Sequence, residues 1–207
     1  LYAQTVCAGL AGRGHAVTLY CADHGRAPRD EEHHGYRIRR RGSRLTVYAS
    51  AVAQLRRDAA TEGAFDVVVD TQNGIPFFTP LQARTPGVVL VHHVHREQWP
   101  VVFGPLQARV GWFVESRIAP VVNRRRTYVA VSQRTSEELG DLGIDATRVR
   151  VIHNGTNPPL LTDQRRSADP TIVVLGRLVP HKRVEHAIDV IAALGRSHPT
   201  ARLRIMG

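Results

Sequence analysis

Lysine is almost missing from this chain: Lys182 stands alone against 27 arginines. Arg presents a planar fork and Lys a compact point charge, so the two are not interchangeable at an anion site, and the single ammonium marks its surroundings. Cysteine is nearly as scarce. Cys7 and Cys21 are too few for a disulfide framework and lack the spacing of a structural zinc site, so a reducing, cytoplasmic setting is expected. No apolar run approaches the roughly 20 residues that cross a bilayer, and no secretory signal pattern opens the chain. Aromatic residues make up 6%, which leaves few stacking platforms for bases and argues against a nucleic-acid-binding module. The chain contains neither Gly-x4-Gly-Lys-Ser/Thr nor Gly-x-Gly-x-x-Gly. A nucleoside triphosphatase and a standard dinucleotide enzyme both lose support.

What is present begins with charge. The formal net charge is +10, from 28 cations against 18 anions. The excess is local: residues 26–57 carry nine arginines against Asp30, Glu31 and Glu32, and Arg124-Arg125-Arg126 forms a second block. Such basicity favours nucleotide phosphates, anionic lipid or nucleic acid as partners, or serves as a solvated face. The arginine bias suggests GC-rich coding and a bacterial source. Apolar residues at 43% are enough for a buried core.

Hydrophobic patterning predicts alternating helices and strands. Tyr2, Val6 and Leu10 recur on one helical face, closed by Gly12 and Gly14. Short strands follow at Ala16–Cys21 and Tyr36–Arg40, the latter with its arginines facing water, and a helix at Leu45–Arg57. Phe65–Asp70 and Gly87–Val91 are continuous apolar runs, as expected of strands covered on both faces. Leu106–Ile118 reads as a helix limited by Pro120, Thr127–Val131 as a strand, Thr135–Leu142 as a helix and Val149–Ile152 as a strand. Asn157–Asp169, with Pro158-Pro159, reads as a linker. Thr171–Leu175, a helix after Lys182, and Leu203–Met206 make a βαβ unit. The pattern predicts an α/β fold with a doubly wound, mostly parallel sheet over residues 1–160, and the opening of a second domain over 161–207.

Ligands of such sheets bind beyond the carboxyl ends of the strands, which singles out Asp70, His92, Ser132, Asn154 and Arg177. Arg177 follows a strand and Lys182 lies at the expected helix start, where unpaired N–H groups favour phosphate; the alternative is a cation pair on a solvated loop. His92, His93 and His95 crowd one strand end. They suggest a sugar-contacting or proton-handling imidazole, with at least one ring serving to hold loop backbone. Metal is less favoured, because no Cys or carboxylate cluster accompanies them and His92 and His93 point apart on an extended chain. Asp70 and Asn73, beside Gly74 and Pro76, either line a cleft or cap a turn. Ser132 or Thr135 caps a helix; no Gly-x-Ser-x-Gly elbow makes Ser132 a nucleophile.

Five segments coincide in order: Gly14-His15-Ala16-Val17-Thr18-Leu19, Val91-His92-His93, Tyr128-Val129-Ala130-Val131-Ser132, Val151-Ile152-His153-Asn154-Gly155, and Gly176-Arg177-Leu178-Val179-Pro180-His181-Lys182. In that order the chain resembles family 4 glycosyltransferases. The resemblance implies a GT-B fold of two Rossmann-like domains, acceptor on the N-terminal and nucleotide-sugar donor on the C-terminal one. It implies sugar transfer with retention of configuration and no essential metal or other cofactor. Arg177 and Lys182 correspond to the residues that neutralise the donor diphosphate. His92, with His93 as fallback, corresponds to the strand-end histidine near the donor sugar. Asp70, Asn73, Ser132, Asn154 and Gly155 are the remaining cleft-lining candidates. The acceptor is an unspecified glycan, lipid or small molecule; an anionic membrane surface is a further expected partner, through residues 37–57, and nucleic acid is not. A nucleotide-sugar epimerase of similar fold is the nearest alternative enzyme. The resemblance also implies a first strand before Leu1 and a Glu-x7-Glu motif beyond Gly207, so that the 207-residue piece alone is expected to be inactive.

Overall fold

The computed structural model describes residues 2–81, 85–156 and 167–207. In chain order its elements are α1 (Tyr2–Ala11), β1 (Thr18–Cys21), β2 (Asp30–His33), β3 (Tyr36–Arg40), α2 (Val47–Thr61), β4 (Val68–Gln72) and β5 (Gly87–Val91). Then come α3 (Trp99–Val102), α4 (Pro105–Phe113), a π-turn (Val114–Ile118), α5 (Ala119–Val122), β6 (Thr127–Ala130), α6 (Gln133–Asp141) and β7 (Val149–Val151). The last are β8 (Thr171–Leu175), α7 (Val184–Leu194) and β9 (Arg202–Met206). Two compact units result: Leu1–His95 with Val110–His153, and Arg96–Arg109 with Asn154–Gly207.

The first unit is built on a parallel sheet in the order β4-β5-β6-β7. Its register aligns Asp70, Val89, Tyr128 and Val149 in one row and Gln72, Val91, Ala130 and Val151 two residues further on. Residues two apart on a strand share a face. Val89, Val91, Tyr128, Ala130 and Val149 of that face form the core with Leu139 of α6. The valine-rich runs are strands because helices flank the sheet, giving the α/β class of a Rossmann-like domain. Parallel pairing brings all four carboxyl ends to one edge, which is what positions the site.

A second, smaller sheet departs from the expected pattern. β1 runs parallel to β3, and β2 pairs antiparallel with β3. Strand β2 carries the sequence Asp-Glu-Glu-His, which no propensity marks as a strand. Two things make it one. His34 and Gly35 both take positive φ, 47° and 79°, the geometry of a tight two-residue hairpin. The register then sets Asp30 opposite Arg39 and Glu32 opposite Arg37, so charges of opposite sign face each other. The arginines of β3 therefore do not simply face water as expected. Arg37 pairs with Glu62, Arg39 with Asp58 and Glu62, Arg40 with Glu31, and the adjoining Arg41 with Asp30.

The helix expected over Leu106–Ile118 ends at Phe113 and passes into the π-turn. Pro120 supplies the reason. A proline has no N–H to give the carbonyl four residues back, and its ring clashes there. The chain widens instead, with the Ala119 N–H reaching the Val114 carbonyl, and α5 restarts with Pro120 in its first turn.

In the second unit β8 and β9 pair in parallel on either side of α7 in sequence, a βαβ arrangement. The linker expected over 157–169, and the boundary at 160/161, lie largely outside the described residues. No helix among the described residues is long and apolar enough to cross a membrane.

Candidate functional site

The carboxyl end of β5 feeds the loop His92–His95, where the sequence crowds its histidines. The His92 ring lies edge-on to Tyr2 of α1, centroids 4.7 Å apart, and burial holds its pKa below the ordinary imidazole value. It is thus neutral near pH 7. His92 and His93 rings lie 6.3 Å apart, and His93 meets His95 edge-on at 5.7 Å. His93 is the exposed member. His95 is mostly covered, and its ring Nδ1 lies 3.2 Å from Oε1 of Glu115, a side chain with no exposure at all.

The end of β6 ties into the same loop. Ser132 is the N-cap of α6 and accepts the Thr135 N–H at 3.1 Å. The Thr135 hydroxyl donates in turn to the His92 carbonyl at 3.2 Å. Ser132 is a helix cap that helps set the histidine loop, not a nucleophile.

Asp70, at the end of β4, is buried. It accepts the Phe77 N–H at 3.0 Å, the Thr79 N–H at 3.4 Å and the Thr79 hydroxyl at 3.2 Å. Burial raises its pKa, against those hydrogen bonds. Three donors from one loop make it a staple for residues 77–79, which include the left-handed Phe78 at φ 53°. Asn73 is exposed and bridges to Ile75 around Gly74 (φ 86°). Between cleft lining and turn capping, Asp70 is a cap. Asn154 and Gly155 are exposed and belong to the second unit.

Arg177 and Lys182 also belong to the second unit, on the loop after β8. Both are exposed, and neither forms an ion pair among the described residues. The expected helix start is displaced. Lys182 ends a single 3-10 turn, Pro180–Lys182; Arg183 takes a left-handed conformation at φ 49°, and α7 begins only at Val184. Lys182 is therefore a loop cation ahead of the helix rather than part of its first turn.

Among the described residues no group of three or more His, Cys, Asp or Glu side chains is arranged to hold a metal ion. The cation excess of residues 37–41 goes largely into the ion pairs described above. The expectation of an anionic membrane contact then leans on Arg44 and Arg57, which are exposed.

The family model for Glycosyltransferase Family 4 matches residues 1–159. The chain belongs to glycosyltransferase family 4. An exopolysaccharide phosphotransferase of Streptomyces coelicolor is 39% identical over 80 residues, a stretch covering 38% of this chain and 8% of that protein's length. Within the family 4 chain, sequence reasoning found the histidine loop but not the partner beneath it. Glu115 carried one signal: a lone acid in the apolar stretch Trp112-Phe113-Val114-Glu115.

Proposed function

We propose that the protein transfers a sugar from a nucleoside-diphosphate-sugar donor to a glycan, lipid or small-molecule acceptor, with retention of configuration. The family match over residues 1–159 carries the reading. The leaving diphosphate gains negative charge as the bond to the sugar breaks, and cations held nearby stabilise that charge in the transition state. Arg177 offers a bidentate fork for two oxygens and Lys182 a movable point charge. His92, neutral and half-buried, is suited to hydrogen-bond a sugar hydroxyl, and His93 is the fallback. Attack by the acceptor on the same face as the leaving group needs no protein nucleophile. No metal is assigned to the reaction, so chelation with EDTA is expected to leave the rate unchanged.

The test supplies UDP-, GDP- and ADP-sugars with candidate acceptors to the intact protein and follows the products. Transfer releases a nucleoside diphosphate and a glycoside of the donor's anomeric configuration. Acceptor-independent epimerisation of the donor would replace this reading with the epimerase alternative. The name of the Streptomyces relative motivates a second reading, transfer of a sugar phosphate. There the phosphoanhydride bond breaks instead, and the released nucleotide is a monophosphate. Should the acceptor be lipid-linked, exposed Arg44 and Arg57 are proposed to meet an anionic inner membrane surface. Co-sedimentation with liposomes that ignores their anionic lipid content would remove that part.

A further inference from the structure

A carboxylate with no exposure is costly unless it is hydrogen-bonded or paired. Glu115 has no exposure, and it lies in the π-turn forced ahead of Pro120, whose wider winding changes where its side chains point. Its Oε1 lies 3.1 Å from the backbone nitrogen of His95 and 3.2 Å from the ring Nδ1 of the same residue. With a carboxylate oxygen already accepting the backbone N–H, a hydrogen on Nδ1 suits the second contact, and in a neutral ring Nε2 is then the lone-pair nitrogen. At the other end of the loop the Thr135 hydroxyl holds the His92 carbonyl. The four residues His92–His95 are thus pinned at both ends, with His93 packed against the ring that Glu115 orients.

We propose that Glu115 is a positioning residue of the histidine loop: through His95 it fixes one ring tautomer and one ring plane, and so the placement of His92 and His93. Its consequence for turnover rests on the sugar-transfer reading; the placement itself does not. Neither Glu115 nor His95 needs to touch substrate for this role. The arrangement parallels the carboxylate that orients a catalytic or metal-binding imidazole from behind, where the orienting group decides which nitrogen is available.

Nitrogen-15 NMR of the histidine-labelled intact protein reads the tautomer directly. Wild type is expected to show His95 with its hydrogen on Nδ1, and Glu115→Gln, which keeps an oxygen acceptor, to preserve it. Glu115→Ala is expected to shift the ring to the Nε2–H form. An Nε2–H ring in the wild type overturns the proposal, as does a tautomer indifferent to Glu115→Ala. Turnover of UDP-, GDP- or ADP-glucose supplies the second measurement. His95→Ala and Glu115→Ala are each expected to lower kcat by about tenfold to 100-fold, with donor KM changed by less than about threefold, as for loss of orientation rather than of binding. The double variant is expected to be no slower than either single one, and Glu115→Gln to recover most of the rate. A full extra loss on adding Glu115→Ala to His95→Ala would mean that Glu115 acts through the core and not through His95. If Glu115→Ala does not fold, the wild-type tautomer and the His95→Ala rate still decide: an unchanged kcat in His95→Ala overturns the proposal. If none of the donors is turned over, the transfer reading fails while the tautomer measurement still judges Glu115.

Discussion

Two basic regions of this molecule treat their cations in opposite ways. In the first unit, Arg37, Arg39, Arg40 and Arg41 all reach carboxylates of the same unit. In the second, Arg177 and Lys182 are exposed and unpaired among the described residues. The first set holds structure: Asp58 of α2 accepts from Arg39, Tyr20 and Gln54, fastening the helix to the small sheet. The same carboxylate, after burial, pushes the Tyr20 phenol pKa up. The second set is exposed, as the proposed diphosphate contact requires. A net charge of +10 therefore does not locate a binding site; the state of each cation does. The run Arg39-Arg40-Arg41, conspicuous in the sequence, is the less available set.

The largest way to break the comparison is to remove the acceptor from the first set. Asp58→Ala leaves the Arg39 guanidinium, whose side chain is 15% exposed, with the more exposed Glu62 as its remaining close carboxylate, and takes the acceptor from Tyr20 and Gln54. Losing the covered acceptor of this network is expected to cost about 2–4 kcal/mol, less than a full stranding of the charge, read as a lower urea midpoint. A loss under 1 kcal/mol, on the order of a surface pair, would mean that the arginine simply turns to solvent and that the network holds nothing.

The second set should respond the other way. Lys182→Ala is expected to weaken UDP, GDP or ADP binding by about tenfold to 100-fold, the worth of one charge-assisted hydrogen bond. Calorimetric titration of the intact protein measures it. Because the ammonium is exposed, thermal stability should not move. Unchanged affinity would remove Lys182 from the diphosphate site, and a lowered Tm would mean that it belongs with the structural cations after all. Lys182→Arg sharpens the point: full affinity there would show that charge alone, rather than the compact ammonium, matters.

These distinctions were only partly legible in the sequence. Strand β5 was readable to the residue, because Gly87–Val91 is one continuous apolar run and core burial dominates its choice. Strand β2 was not, because its stability lies in partners on β3 rather than in its own residues. Pro120 announced a break in its helix, but not that the chain would widen into a π-turn and turn Glu115 inward. The histidine cluster was visible as three rings within four positions. Its anchor stands 20 residues away in sequence and meets it only through the fold. The arginines of β3 were misread for the same reason: alternation tells which side of a strand a residue is on, not what waits there.

The smallest expected effect separates pairing from burial. Arg134 and Glu138 form an ion pair one turn apart on α6, Nε to Oε1 3.0 Å, but Arg134 is 76% exposed. Water already solvates that guanidinium, so the pair replaces good hydration with a similar interaction and fixes two long side chains to do it. Arg134→Ala is expected to cost about 0.3–0.5 kcal/mol. That small loss should fade further in 1 M salt, where the screening length falls to roughly 3 Å. Asp58→Ala should keep most of its effect at the same salt, since covered charges are screened far less. If the two variants lost similar stability, or answered salt alike, then being paired would be what sets the first unit's cations apart. If they differ as expected, it is the exclusion of water around Arg39 that commits those arginines to structure, and its absence around Lys182 that leaves that cation available.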